Sequence, residues 1–358
     1  MTAPYRVAII GAGIGSQHLA GYQRLAGRFV VTTICDLDRE RAQQVAASAG
    51  GVAVRTDSAE VLADPDIDIV DICLPPDLHF EYLEAALKAG KHAICEKPLV
   101  GCLRDVDAIE RLSEATGRTV FPVLQYRFGP AMAQLQALID AGLAGKPLVA
   151  SLETHWNRGA DYYGVPWRGT WQHENGGAIL GHAIHAHDLL CHLFGPVEHL
   201  TAFAATRANP IETEDCAAIA FQMRNGALAT SSITLGAADN WTRLRFCFSG
   251  LTATSGTNPY APAEDVWTFT ARGETAQGDI DAKLAGLPPV LCGYAGLFAG
   301  VADALDGKAS HGVTLDDARQ SLELVSAIYH SARTGTRADL PLGAEHPLYN
   351  GWKPTRHG

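Results

Sequence analysis

Short apolar runs alternate with amphipathic, helix-type stretches through the first 125 residues, and this alternation constrains the fold more than any other feature of the chain. Val7–Ile10, Val30–Cys35, Ile67–Cys73, His92–Cys95 and Thr119–Leu124 are brief, apolar and rich in β-branched side chains. Runs of that kind suit strands covered on both faces. Between them lie Arg39–Ala49, Leu78–Ala89 and Leu103–Thr116, with Ala89-Gly90-Lys91 and Thr116-Gly117-Arg118 as stop signals. The alternation predicts an α/β domain over residues 1–125 with a doubly wound parallel sheet.

The pattern changes after about residue 146. Leu148–Thr154, Val197–Ala205, Ala217–Met223, Ala227–Leu235, Leu244–Phe248 and Val266–Thr270 mostly succeed one another without helical stretches between, and Asn225-Gly226 is a strong hairpin signal. Strand following strand predicts a large, mostly antiparallel open sheet. Two helices, Tyr294–Leu305 and Leu315–Ala332, close the chain. At 358 residues the chain exceeds one core. The expectation is a second, α+β domain over 126–358, with its last helix packing back on the first domain.

The formal charge of −11 argues against nucleic acid or an anionic membrane as partner. The N-terminal residues lack the basic and apolar regions of a secretory signal, and no apolar run approaches the roughly 20 residues of a membrane span. Eight cysteines stand singly with no Cys-x-x-Cys pair, which reads as buried thiols in a reducing compartment. The expected location is cytoplasmic.

Directly after the first strand comes Gly11-Ala-Gly13-Ile14-Gly15-Ser16-Gln-His18, leading into a helix. Glycines there permit a tight turn and close approach of backbone N–H groups to a pyrophosphate at a helix N-terminus. Asp36 ends the second strand, where an acidic side chain accepts hydrogen bonds from an adenosine ribose and repels a 2′-phosphate. The expected cofactor is NAD in preference to NADP, with Gly11, Gly13, Ile14, Gly15 and Asp36 as binding residues. Packing of a helix on a sheet is the competing explanation of the glycines, and a helix cap that of Asp36.

Two further strands end in motifs: Leu74-Pro75-Pro76-Asp77-Leu-His79 and Glu96-Lys97-Pro98. Ligands bind at that carboxyl edge in this fold class. Together with Gln125-Tyr126-Arg127, Trp167-Arg168, Gly176-Gly177…His185-Ala-His187-Asp188 and Ser331-Ala-Arg-Thr-Gly335, the chain resembles the Gfo/Idh/MocA family of sugar and polyol oxidoreductases over nearly its whole length. The resemblance implies an N-terminal Rossmann domain, and Lys97 contacting both nicotinamide and a substrate hydroxyl. It implies His185 as acid/base, and Leu74, Pro75, His79, Glu96 and Gln125 beside the cofactor. Arg127, Arg168 and His182 are the further substrate-side candidates. It also implies a homodimer or homotetramer formed through the C-terminal sheet.

One position departs from the family. Many members have an aspartate four residues before the histidine, where this chain has Gly181 followed by His182. Residues four apart share a helix face, so the usual substrate contact is missing. His182, His185 and His187 invite a metal reading, but no third ligand has convincing spacing and no metal is expected. The expected activity is NAD-dependent oxidation of a secondary alcohol or hemiacetal of a sugar, polyol or glycoside. An NAD-retaining glycosidase and a non-catalytic sugar sensor stay open as alternatives.

Overall fold

The computed structural model describes residues 3–309 and 312–354. Contacts divide the chain into two units, one of residues 1–125 and 294–319 and the other of residues 126–293 and 320–358. The N-terminal unit thus takes in most of the Gly293–Leu305 helix.

Six parallel strands form the sheet of the N-terminal unit: β1 (Tyr5–Ile10), β2 (Phe29–Cys35), β3 (Ala53–Arg55), β4 (Ile69–Ile72), β5 (His92–Cys95) and β6 (Val120–Pro122). Their order, β3-β2-β1-β4-β5-β6, is that of a doubly wound Rossmann sheet. Val7, Ile9, Ile69, Ile72 and Ile94 are sealed from solvent, as strands covered on both faces require. The sequence reading lacked β3. It is three residues long, with no buried position, and offers no periodic signal.

Eight strands make the second sheet: β7 (Pro147–Asn157), β8 (Val197–Ala205), β9 (Cys216–Met223), β10 (Leu228–Thr234), β11 (Gly236–Phe248), β12 (Leu251–Thr254), β13 (Thr268–Ala271) and β14 (Ala338–Asp339). The order is β13-β12-β11-β7-β10-β9-β8-β14, and only β7 with β10 is parallel. Gly226 turns the β9–β10 hairpin at φ +87°, as Asn-Gly predicts. In β9 burial alternates residue by residue, so one face packs on the core. The other leaves Phe203, Leu228 and Val149 exposed. No disulfide joins the eight cysteines, five of which are buried. Among the described residues no helix is long and apolar enough to cross a membrane.

Candidate functional site

In the N-terminal unit the site grows from the turn after β1. Gly11 sits at φ +101°, where a Cβ would fall 2.2 Å from the Cys73 carbonyl oxygen, so no other residue fits. At Gly13 the space a Cβ would occupy is empty for 4 Å. The Gly13, Ile14 and Gly15 amides carry no hydrogen bond to described residues, and Gly15 opens the Gly15–Gln23 helix. Spare N–H groups at a helix start with open space before them fit a pyrophosphate. Asp36 braces this cradle: its Oδ2 accepts from Ala12 N–H at 2.8 Å and its Oδ1 from Asp38 N–H at 2.8 Å. A carboxylate has about four lone-pair sites, so acceptor capacity remains for ribose hydroxyls. Arg41 Nη1 stands 3.7 Å from Asp36, a cation the sequence reading did not weigh.

The carboxyl ends of β4 and β5 are tied by histidines. His18, fully buried, places Nδ1 2.9 Å from Asp71 and Nε2 3.2 Å from Glu96. Burial is the largest single influence and opposes its charge, but Asp71 and Cys73 together outweigh it and hold the imidazole well above its ordinary pKa. An imidazolium donating from both nitrogens satisfies both carboxylates. Glu96 also receives the Tyr294 hydroxyl at 3.3 Å, and its Oε2 accepts the Lys97 N–H at 3.0 Å. Lys97, half-buried, is therefore the next residue after an immobilised carboxylate.

His79, expected beside the cofactor, has no exposed surface, and its ring nitrogens lie 2.7 Å from the Pro98 carbonyl and 2.8 Å from that of Leu74. Burial pushes its pKa down despite these acceptors. Both nitrogens face backbone carbonyls, and a neutral ring donates to one of them, tying that turn to the edge. Leu74 and Pro75 are half-buried on that edge. Gln125 donates toward the Tyr294 hydroxyl at 3.4 Å, while its Oε1 is buried with no partner among described residues. An orphaned acceptor at this edge fits a polar ligand group.

In the C-terminal unit a helical run carries the histidines. Gly177 has its missing Cβ 1.9 Å from the Glu214 carbonyl oxygen, and the Glu214 carboxylate accepts from the Gly177 and Ile179 N–H groups and the Tyr329 hydroxyl. Burial raises the Glu214 pKa to about 7. Residues Ile179–Ala183 form a π turn, followed by the Ile184–Phe194 α-helix. The chain around Gly181 is therefore wound more widely than a regular α-helix. A Cβ at Gly181 would meet nothing within 4 Å.

His185 lies flat on Tyr126, with ring centroids 4.4 Å apart and planes at 22°. The next residue, Arg127, expected at the substrate, forms a two-pronged pair with Asp188 at 2.8 and 2.5 Å. Side-chain exposures of 5% and 2% make it a buried pair that anchors the helix. His182 meets Trp156 edge-on at 5.0 Å and has Nε2 3.4 Å from the Tyr162 hydroxyl. Arg168 lies over the Tyr162 ring at 3.8 Å. His187 instead faces Ser231 at 3.0 Å, and burial lowers its pKa to about 4. Among described residues the three-fold group with metal-like spacing is His18, Asp71 and Cys73, already joined by hydrogen bonds. Tyr162 and Glu214 have no place in the sequence analysis, and Tyr126 enters it only as a motif residue; the loop between Trp156 and Arg168, dense in aromatic and charged residues, is the available signal for Tyr162.

Comparison with known proteins agrees with this layout. The family model described as "Oxidoreductase family, NAD-binding Rossmann fold" matches residues 5–123, and the GFO/IDH/MocA C-terminal domain matches residues 132–254. An uncharacterized oxidoreductase of Synechocystis sp. is 30% identical over 243 residues, spanning 64% of this chain and 65% of its own length. Inositol 2-dehydrogenase of Mycolicibacterium smegmatis is 37% identical over 149 residues, spanning 40% of this chain and 42% of its own length. The crystal structure of the WlbA dehydrogenase from Bordetella pertussis, in complex with NADH and UDP-GlcNAcA, superposes with a TM-score of 0.83 at 27% identity. That match covers 95% of this chain and all of the other. With both of its domains matched in chain order, the protein belongs to the GFO/IDH/MocA oxidoreductase family, and its N-terminal unit is that family's NAD-binding Rossmann fold.

Proposed function

We propose that the protein is an NAD-dependent dehydrogenase that oxidises a secondary alcohol or hemiacetal of a sugar or polyol. The carrying observation is the anchoring of Glu96-Lys97 at the carboxyl edge of the parallel sheet, by His18, Tyr294 and the Lys97 amide itself. An exposed lysine beside a turn needs no such support. The 37% identity to an inositol 2-dehydrogenase over 149 residues supports the polyol class.

The Gly13–Gly15 amides and Asp36 are assigned to hold the dinucleotide, which when bound supplies the hydride acceptor. His185 is assigned to take the hydroxyl proton, and Tyr126 holds its ring by stacking. Lys97 donates a hydrogen bond to the reacting oxygen and stabilises its developing negative charge.

Lys97→Ala is expected to lower turnover at least about a hundredfold, the scale of one lost transition-state donor. NADH affinity by fluorescence titration and the melting temperature should hardly change. Near-normal turnover by a folded variant would remove Lys97 from the chemistry. A panel of inositols, aldoses and glycosides read by NADH absorbance tests the activity itself; cleaved glycosides without net NADH would favour a glycosidase.

Asp36 carries a second expectation. NADH should bind more tightly than NADPH, because the carboxylate opposes a 2′-phosphate. Asp36→Ala should narrow that ratio, because the opposing carboxylate is gone and Arg41, 3.7 Å from it, keeps only its pair with Asp38 at 3.2 Å. Tighter NADPH binding by the unaltered protein would reverse the assignment.

A further inference from the structure

We propose that the C-terminal unit carries an oxyanion site, built from Arg158 and Arg168 around Tyr162, for a carboxylate or phosphoryl group on the substrate. That the anion rides on a sugar rests on the function proposed above; the anion site itself does not.

The two guanidinium groups converge on one aromatic ring. Arg168 lies 3.8 Å from the Tyr162 centroid and Arg158 lies 5.1 Å from it. Trp156 and Tyr260 flank Arg158 at 4.9 and 5.5 Å, and Trp167 flanks Arg168 at 5.2 Å. Among described residues, no carboxylate comes within ion-pairing distance of either guanidinium. That is unexpected in a chain with 39 acidic and 28 basic side chains. Arg158 reaches only neutral oxygens: the Asn157 carbonyl, Asn240 Oδ1 and the Tyr260 hydroxyl. Arg168 makes no side-chain hydrogen bond to described residues. The Nε atoms of both are shielded from solvent and lack a partner.

Aromatic faces attract the flat sides of guanidinium groups without engaging the in-plane N–H donors, which on Arg168 make no hydrogen bond to described residues and on Arg158 meet only neutral oxygens. Those donors form the fork that fits a carboxylate or phosphate with two parallel hydrogen bonds. Like charges sharing one ring also repel, and an anion placed among them cancels that repulsion. A groove of about 370 Å³ runs along residues 157–162, with Arg158, Tyr162 and the exposed Asp161 in its wall. The Tyr162 hydroxyl lies 3.4 Å from His182, so the same aromatic ring bears on the histidine next to Gly181. An anionic contact here supplies substrate affinity in a chain that lacks the family's aspartate.

Calorimetry on the intact protein with NAD present tests this with D-glucuronate, D-glucose 6-phosphate, inorganic phosphate and D-glucose. At least one sugar anion should bind about tenfold or more tightly than glucose, the scale of a charge-assisted hydrogen bond, and weaken as salt rises. Which acid binds better tells carboxylate from phosphoryl. Arg168→Gln and, separately, Arg158→Gln should erase the advantage without altering NAD affinity or melting temperature. Arg168→Lys should restore it only in part, because an ammonium lacks the fork. The site falls if no anion outbinds glucose, or if the advantage survives both glutamine variants. Arginine-dependent anion binding without NADH formation from any sugar would overturn the dehydrogenase reading and leave the site standing.

Discussion

Replacing Arg127 with methionine is expected to cost about 3–5 kcal/mol of unfolding free energy, the usual penalty for stranding one partner of a buried ion pair. The guanidinium and the Asp188 carboxylate meet through two hydrogen bonds, with 5% and 2% of their side-chain surfaces exposed. Methionine fills much of the volume but removes both guanidinium hydrogen bonds from the buried carboxylate. Arg127→Lys should fall between, because an ammonium cannot make the parallel pair. Arg127→Met combined with Asp188→Leu should recover most of the loss, since a well-packed apolar pair often matches a buried ionic one. Urea unfolding followed by tryptophan fluorescence measures this cleanly. All six tryptophans (156, 167, 171, 241, 267 and 352) belong to the C-terminal unit. A single-variant loss below about 1 kcal/mol, within the range of exposed pairs, would mean the pair does not hold a buried charge.

The same pair shows where sequence reasoning stops. Alternating apolar runs and the glycine turn disclosed the parallel sheet, because local pattern and global topology agree there. β3 and β14, at three and two residues, are too short to carry a pattern. The family motifs single out Arg127 and His79, yet motif membership does not say whether a side chain meets a ligand or another side chain. Asp188 lies 61 residues from Arg127, and Pro98 lies 19 from His79. Only the folded chain shows that both side chains serve as braces. Gly181 is the subtler case. The four-residue spacing to His185 assumes a regular α-helix, whereas Ile179–Ala183 is wound as a π turn that no local pattern signals. Nor does any local pattern show that Arg158 and Arg168, ten positions apart in a loop-rich stretch, share the ring of Tyr162.

The assignment of His185 as base leads to the other large expected effect. A base must be neutral to accept the alcohol proton, and histidine titrates near neutral pH, at about 6.5 when unperturbed. The oxidation rate should therefore be low in acid, where the ring is charged, and rise with pH through one ionisation. His185→Gln keeps a polar side chain but no titrating base. It should slow oxidation by about a hundredfold to ten-thousandfold, the range for losing general base catalysis, and the ionisation should vanish from the profile. Packing complicates the test, because His185 is 4% exposed and stacks on Tyr126 at 4.4 Å. Melting temperature and NADH affinity must therefore be measured on the same preparation. Tyr126→Leu offers a milder probe: it removes the stack that holds the imidazole and should lower turnover while leaving the ionisation visible. The rival is His182, which is 6% exposed and packs edge-on to Trp156. If His182 is a substrate contact, His182→Gln should weaken substrate binding and leave the pH profile in place. Should His182→Gln abolish the ionisation while His185→Gln preserves both rate and profile, the base is His182, and the Tyr126 stack holds a spectator.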